Sequence, residues 1–108
     1  MNNAQERKNT PIFSGVMMYF PNALKYVSQV SLAGNLQHHP NEPLHWDRTK
    51  STDEADALAR HLIDCGEHWD GVDTDGVLHA GKVAWRALAL LEKVLEREND
   101  VDSSSGMV

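Results

Sequence analysis

Apolar residues recur at helical spacing in three stretches of the chain, separated by polar segments rich in turn formers. The first stretch follows Phe20-Pro21. Proline suits a first helical turn because its missing N–H has no partner there anyway. Leu24, Val27, Val30 and Leu32 form an approximate stripe, and Gly34 is a natural stop. A shorter apolar piece, residues 12–19, precedes it. Its pattern fits a short helix, a strand or a packed arm. Residues 35–50 hold two of the four prolines and read as an ordered loop with turns at Pro40 and Pro43. Such a long connection in a small domain often carries function.

The second helix starts at a capping box. Ser51 can accept from the amide three residues on, and Glu54 can reach back. Its apolar positions are Ala55, Leu58, Leu62 and Cys65, and Gly66 ends it. Residues 67–75 (EHWDGVDTD) form an acidic, turn-rich loop. The third helix is predicted from about Gly76 to about Glu98. Val83, Ala87, Leu90, Leu91 and Val94 make its main apolar face, widened by Ala84, Leu88 and Leu95. No such helix can bury its face alone. The pattern therefore predicts an all-α fold, a small bundle of three main helices completed by oligomerisation. Residues 1–10 read as a flexible arm and 11–98 as the helical domain. Residues 99–108, acidic and Ser/Gly-rich, read as a disordered tail.

At 108 residues the chain has room for one domain, and 41% hydrophobic residues are enough for a core. The formal charge of −6 at pH 7 argues against a duplex nucleic-acid surface, which needs clustered Lys and Arg. It leaves a single nucleotide possible, because a local cation or a metal ion serves its phosphates. One cysteine, Cys65, excludes an intrachain disulfide and a multi-Cys zinc site. No signal peptide and no membrane-length apolar run is evident. The expected setting is the cytoplasm, host cytoplasm for a phage-encoded protein.

Helical geometry places the polar residues. With Glu54 at zero, His61 falls at roughly −20° and Asp64 at roughly −80°, on the border of the apolar stripe. With His79 at zero, Arg86 falls at roughly −20° and the apolar centre at roughly +80°. Two helices packed through their stripes can bring His61, Asp64 and His79 to one groove. Lys82 and Arg86 then supply positive charge, or lie on a solvated helix face. In the DTDG run, Asp73 and Asp75 can cap the third helix or ligate metal. His38 and His39 read as a solvated loop pair that can also bind metal. Trp46 either plugs the core or stacks on a flat ligand. Trp69 and Trp85 read as packing or subunit-contact residues, and Trp85 with Leu88 marks a second contact surface.

Four segments carry a family resemblance: 40–54 (PNEPLHWDRTKSTDE), 56–64 (DALARHLID), 73–79 (DTDGVLH) and 83–92 (VAWRALALLE). They resemble small phage and prophage proteins known as dATP/dGTP diphosphohydrolases, a family grouped with the MazG-like all-α nucleotide pyrophosphohydrolases. Arg60-His61 and the Asp73–Gly76–His79 element are the most specific parts. The resemblance implies cleavage of a purine deoxynucleoside triphosphate between its α and β phosphates, with Mg²⁺ or Mn²⁺ as cofactor. It makes His61, Asp64, Asp73 and His79 candidates for metal binding, and His61, Asp64 and His79 candidates for catalysis. Trp46, Arg60, Lys82 and Arg86 become candidates for holding the nucleotide.

Two further functions stay open on the residues. One is capture of a nucleotide or cyclic nucleotide without hydrolysis, because the helices lack the paired Glu-x-x-Glu of MazG-like enzymes. The other is a helical interaction protein that inhibits a host factor, with Trp85 and Leu88 on its contact face.

Overall fold

The computed structural model describes residues 3–48 and 52–107, with side chains described as far as Arg97. Among the described residues the chain is all-helical, without strands. A short exposed helix, α1 (Ala4–Lys8), lies within the N-terminal arm, and Asn3 caps it by accepting from the Glu6 amide at 2.8 Å. Residues 12–19 form a single π-helical turn, Phe13–Met17, in which the Met18 amide reaches back five residues to the Phe13 carbonyl. That answers the assignment left open by their pattern.

Helix α2 (Pro21–His38) starts with proline in its first turn as expected. It runs through Gly34 instead of stopping there. A Cβ at Gly34 would have open space around it, so its lack of a side chain reflects no close approach. The stop comes four residues later. The His39 amide closes onto the Asn35 carbonyl at 2.7 Å, and the buried Asn35 side chain turns outward from the helix to hold the following loop.

Helix α3 (Glu54–Glu67) begins two residues after the start that a Ser51 cap implies and runs through Gly66 instead of ending there. Ser51 lies outside the described residues. Asp53 occupies the N-cap without a side-chain cap bond. Glu54, instead of reaching back, is buried against α4. Helix α4 (His79–Met107) starts three residues later than predicted, and its backbone continues through 99–107, which composition marks as tail.

The helices meet through unexpected faces. On α3 the buried residues are Glu54, Ala57 and Cys65, while Leu62 and Ile63 are exposed. On α4 the inward row is His79, Lys82, Arg86, Ala89 and Lys93, spaced at one face of a helix. The α3–α4 seam is therefore small and polar, and the predicted apolar stripes flank it. Leu88, Leu91, Val94 and Leu95 stay about half exposed, and no large side chain is fully buried among the described residues. The seam is polar because Glu54 gathers two cations from α4, a long-range pairing that apolar periodicity does not report.

Helix α2 crosses α4 closely at Gly81. A Cβ there would stand 2.6 Å from the Tyr26 ring and 3.1 Å from Val30. Tyr26 cannot swing away cheaply, since its hydroxyl accepts from the Leu78 amide at 2.8 Å. A glycine on α4 thus lets α2 set the start of α4, and with it the height of His79.

Candidate active site

A tight turn delivers His79 to the head of α4. Val72 and Leu78 form an isolated antiparallel bridge. Between them the Asp73 amide donates to Val77 at 2.8 Å and the Gly76 amide to Asp73 at 2.9 Å. Gly76 closes the turn with φ at +81°, the left-handed region that glycine enters without strain. The His79 amide then donates to the Gly71 carbonyl at 3.0 Å, so both ends of the turn are tied to the first residue of the helix.

From α3, His61 reaches the same point. The Nδ1 atoms of His61 and His79 lie 3.1 Å apart, and the ring centroids are 5.3 Å apart. One ligand atom from each of His61, Asp64 and His79 falls within 4.8 Å of the other two. His79 is buried, His61 half-buried and Asp64 exposed, so the cluster opens to solvent on its acidic side. Burial, followed by the nearby Lys82 charge, holds the His61 imidazole below its ordinary value. Near neutral pH the ring keeps a free lone pair, the form in which imidazole binds metal.

This donor set fits a divalent ion. Two nitrogens bound to one metal at about 2.1 Å stand roughly 3.0–3.4 Å apart, and the observed Nδ1 separation falls in that range. Two imidazoles with one carboxylate suit Mn²⁺ or Zn²⁺ better than Mg²⁺, which prefers oxygen.

Beside the histidines lies a second cluster. The Lys82 ammonium donates to Asp73 at 2.8 Å and to Asp75 at 2.7 Å. Burial works against the Lys82 charge, but the hydrogen bonds to both carboxylates outweigh it and raise the group above its ordinary value. The same bond from Lys82, together with the Thr74 amide, lowers Asp73 from 3.8 to about 2. Asp75 is lowered as well, first by its bond from Lys82. Asp73 therefore bonds to Lys82 in this structure, and its charge also reaches His61 and His79. Its carboxylate stays charged in the folded state well below the pH at which it protonates in the unfolded chain. The stabilisation is complete above about pH 4 and is lost as pH falls toward 2. Lys82→Met should therefore lose less stability than the wild type between about pH 5 and about pH 2.5 in urea titrations. Equal losses would show that the bridge contributes nothing.

Of these groups, His61, Asp75 and Lys82 wall a cleft of about 540 Å³ bounded by α2, the 39–47 loop, α3 and α4. Its lining includes His38, Trp46, His61, Asp75, Lys82 and Arg86. Pockets of this size hold small organic ligands. Trp46 combines both roles expected of it. It lines the cleft, yet it also packs, with the Arg48 guanidinium 4.4 Å above its ring and Trp85 edge-on at 5.7 Å. Arg86 donates to Glu54 at 2.6 Å, so its charge is already partly matched. Arg60 is exposed and pairs with Asp53 at 3.2 Å, on α3 and outside the cleft lining.

A family model described as dATP/dGTP diphosphohydrolase, N-terminal, matches residues 2–104 of this chain. The chain belongs to this family. No curated protein and no solved structure matches it. The match spans nearly the whole chain, so α2, the loop, α3 and α4 together make up the family's N-terminal unit. In this diphosphohydrolase-family chain, the structure brings together His61, Asp64 and His79, which the sequence singles out. Sequence reasoning missed Asn35, Tyr26, Lys93 and the inward role of Glu54. Only the charge of Glu54 at a predicted helix border, facing Arg86 and Lys93 on another helix, hinted at the last.

Proposed function

We propose that this chain hydrolyses purine deoxynucleoside triphosphates to the monophosphate and pyrophosphate in a metal-dependent reaction. The reading is carried by the Nδ1 atom of His61, a residue of the wall of a cleft large enough for a nucleotide, facing the Nδ1 of the buried His79 behind it at 3.1 Å. Family membership supports the choice of substrate. His61, Asp64 and His79 hold the metal, with Mn²⁺ favoured over Mg²⁺ by the two imidazoles. When bound, the ion supplies Lewis-acid stabilisation of the phosphates and an acidified water. Lys82 and Arg86 hold positive charge at the cleft wall while Asp73, Asp75 and Glu54 keep their head groups in place. Such pre-positioned charge needs no reorganisation as the reaction proceeds. Trp46 offers an aromatic wall for the base. A cytoplasmic setting, where deoxynucleotides are found, goes with this substrate. No helix among the described residues is long and apolar enough to cross a membrane.

Incubating the protein with each deoxynucleoside triphosphate and Mn²⁺, then separating the products, tests the reading. Pyrophosphate and a monophosphate from dATP or dGTP are expected. Nucleotide recovered intact from every incubation, with tight binding that survives EDTA, points instead to capture without hydrolysis.

The site is further proposed to work within a homo-oligomer. Leu24 and Val27 of α2 and Leu88, Leu91 and Leu95 of α4 line a second, apolar groove. Leu91 is 54% exposed in the single chain. A chain this short, with its large apolar side chains uncovered, falls short of the burial that stabilises small domains. A second copy supplies a matching apolar face by two-fold symmetry. Light scattering at micromolar concentration should give a multiple of the chain mass, and Leu88→Glu with Leu91→Glu should reduce it. A monomeric wild type would remove the idea.

A further inference from the structure

The loop after α2 carries another group of metal-ligand side chains, separate from His61, Asp64 and His79. His39 Nδ1 lies 3.0 Å from Glu42 Oε2, and His45 Nε2 lies 3.8 Å from the same oxygen. One ligand atom from each residue falls within 4.8 Å of the others. The spacing His-x-x-Glu-x-x-His folds over two prolines, Pro40 and Pro43, which stiffen the turn.

The loop is braced from inside the fold. The buried Asn35 amide donates to the Glu42 carbonyl at 3.1 Å and to the His39 carbonyl at 3.5 Å. Its oxygen accepts from the His45 amide at 3.3 Å. One side chain therefore fixes the backbone at all three positions. Orientation of the rings follows the pattern of metal-binding histidines. His45 Nδ1 lies 3.0 Å from the Pro43 carbonyl, and an N–H donated there fixes the tautomer. That leaves Nε2 as the ring atom nearest the Glu42 carboxylate, 3.8 Å from Oε2. The His39 and His45 rings stand 4.6 Å apart and tilted, both turned toward Glu42.

We propose that His39, Glu42 and His45 form a second metal site, which takes a transition ion of the Zn²⁺ class with solvent completing the coordination. Two imidazoles and one carboxylate are a zinc donor set. Tetrahedral ligands at about 2.1 Å lie roughly 3.4 Å from one another, and the 3.0 and 3.8 Å separations bracket that value. The ion clips the loop that carries Trp46 and forms one wall of the cleft. This proposal does not depend on the hydrolytic reading.

Native mass spectrometry of the full chain with added Zn²⁺ tests it. A single background, His61→Ala/His79→Ala, isolates the loop site. The His61→Ala/His79→Ala protein should still bind one zinc per chain. Adding His39→Ala and His45→Ala should abolish that uptake, with circular dichroism unchanged because the loop lies outside the helices. If the His61→Ala/His79→Ala protein takes up none, or if the loop substitutions leave its uptake unchanged, the loop holds no metal.

Discussion

The His61→Ala and His79→Ala proteins should keep wild-type helicity and lose Mn²⁺-dependent pyrophosphate release by about 100-fold or more. The expectation follows from how little else can replace either ring. His79 is buried at the head of α4, fixed by the Gly71 carbonyl and the Asp73–Gly76 turn. His61 comes from another helix and meets it at 3.1 Å. Removing one imidazole leaves a single nitrogen and the exposed Asp64 carboxylate, a donor pair too sparse for tight divalent binding. Residues that act as one unit are non-additive, so the double substitution should be no worse than either alone. Steady-state rates across a Mn²⁺ series separate loss of metal affinity from loss of turnover. Activity within about threefold of wild type in either variant would detach these histidines from the chemistry.

Glu54→Ala should destabilise the fold by about 2–3 kcal/mol, less than the 3–5 typical of a broken buried pair. The Glu54 side chain is 3% exposed and accepts from Arg86 and from Lys93, both on α4. Without it, two cations lose the buried carboxylate they share across a narrow seam, while Lys93 keeps its contacts with the Arg48 carbonyl at 3.5 Å and with the Trp46 ring. Their side chains are 29% exposed, so they can turn partly toward water, which lowers the cost. In a domain of this size the loss amounts to a fall in Tm on the order of 10 °C. Glu54→Gln keeps an acceptor oxygen and should fall between. Thermal melts followed by circular dichroism give the answer, and a Tm unchanged within about 2 °C would mean the seam is held by something else.

The start of α2 at Pro21, the starts of α3 and α4 to within a few residues, and the all-helical class were legible in the chain. Their signals are local: proline in a first turn, apolar spacing, and a glycine turn before His79. The imidazoles were legible too, because angular position on a helix follows from spacing alone, and His61 and His79 each lie on a helix border. The end of α2 was misplaced at Gly34. Glycine permits a stop without requiring one, and Asn35 and His39 decide the matter through the loop they hold.

Which helix faces meet was not readable. Periodicity marked Leu62, Leu88 and Leu91 as inward, yet the α3–α4 seam closes on Glu54, Ala57, His61, Lys82, Arg86 and Ala89. A hydrophobic pattern records which positions avoid water, and it does not say whether a neighbour in the same chain or another surface covers them. The partners of each charge were likewise hidden. Asp73 and Asp75 lie seven to nine residues from Lys82, and Glu54 lies 32 from Arg86. Local spacing governs the helices and the border positions of the histidines. The pairing of a carboxylate with a particular cation depends on how the chain folds back, and that return path exists only in three dimensions.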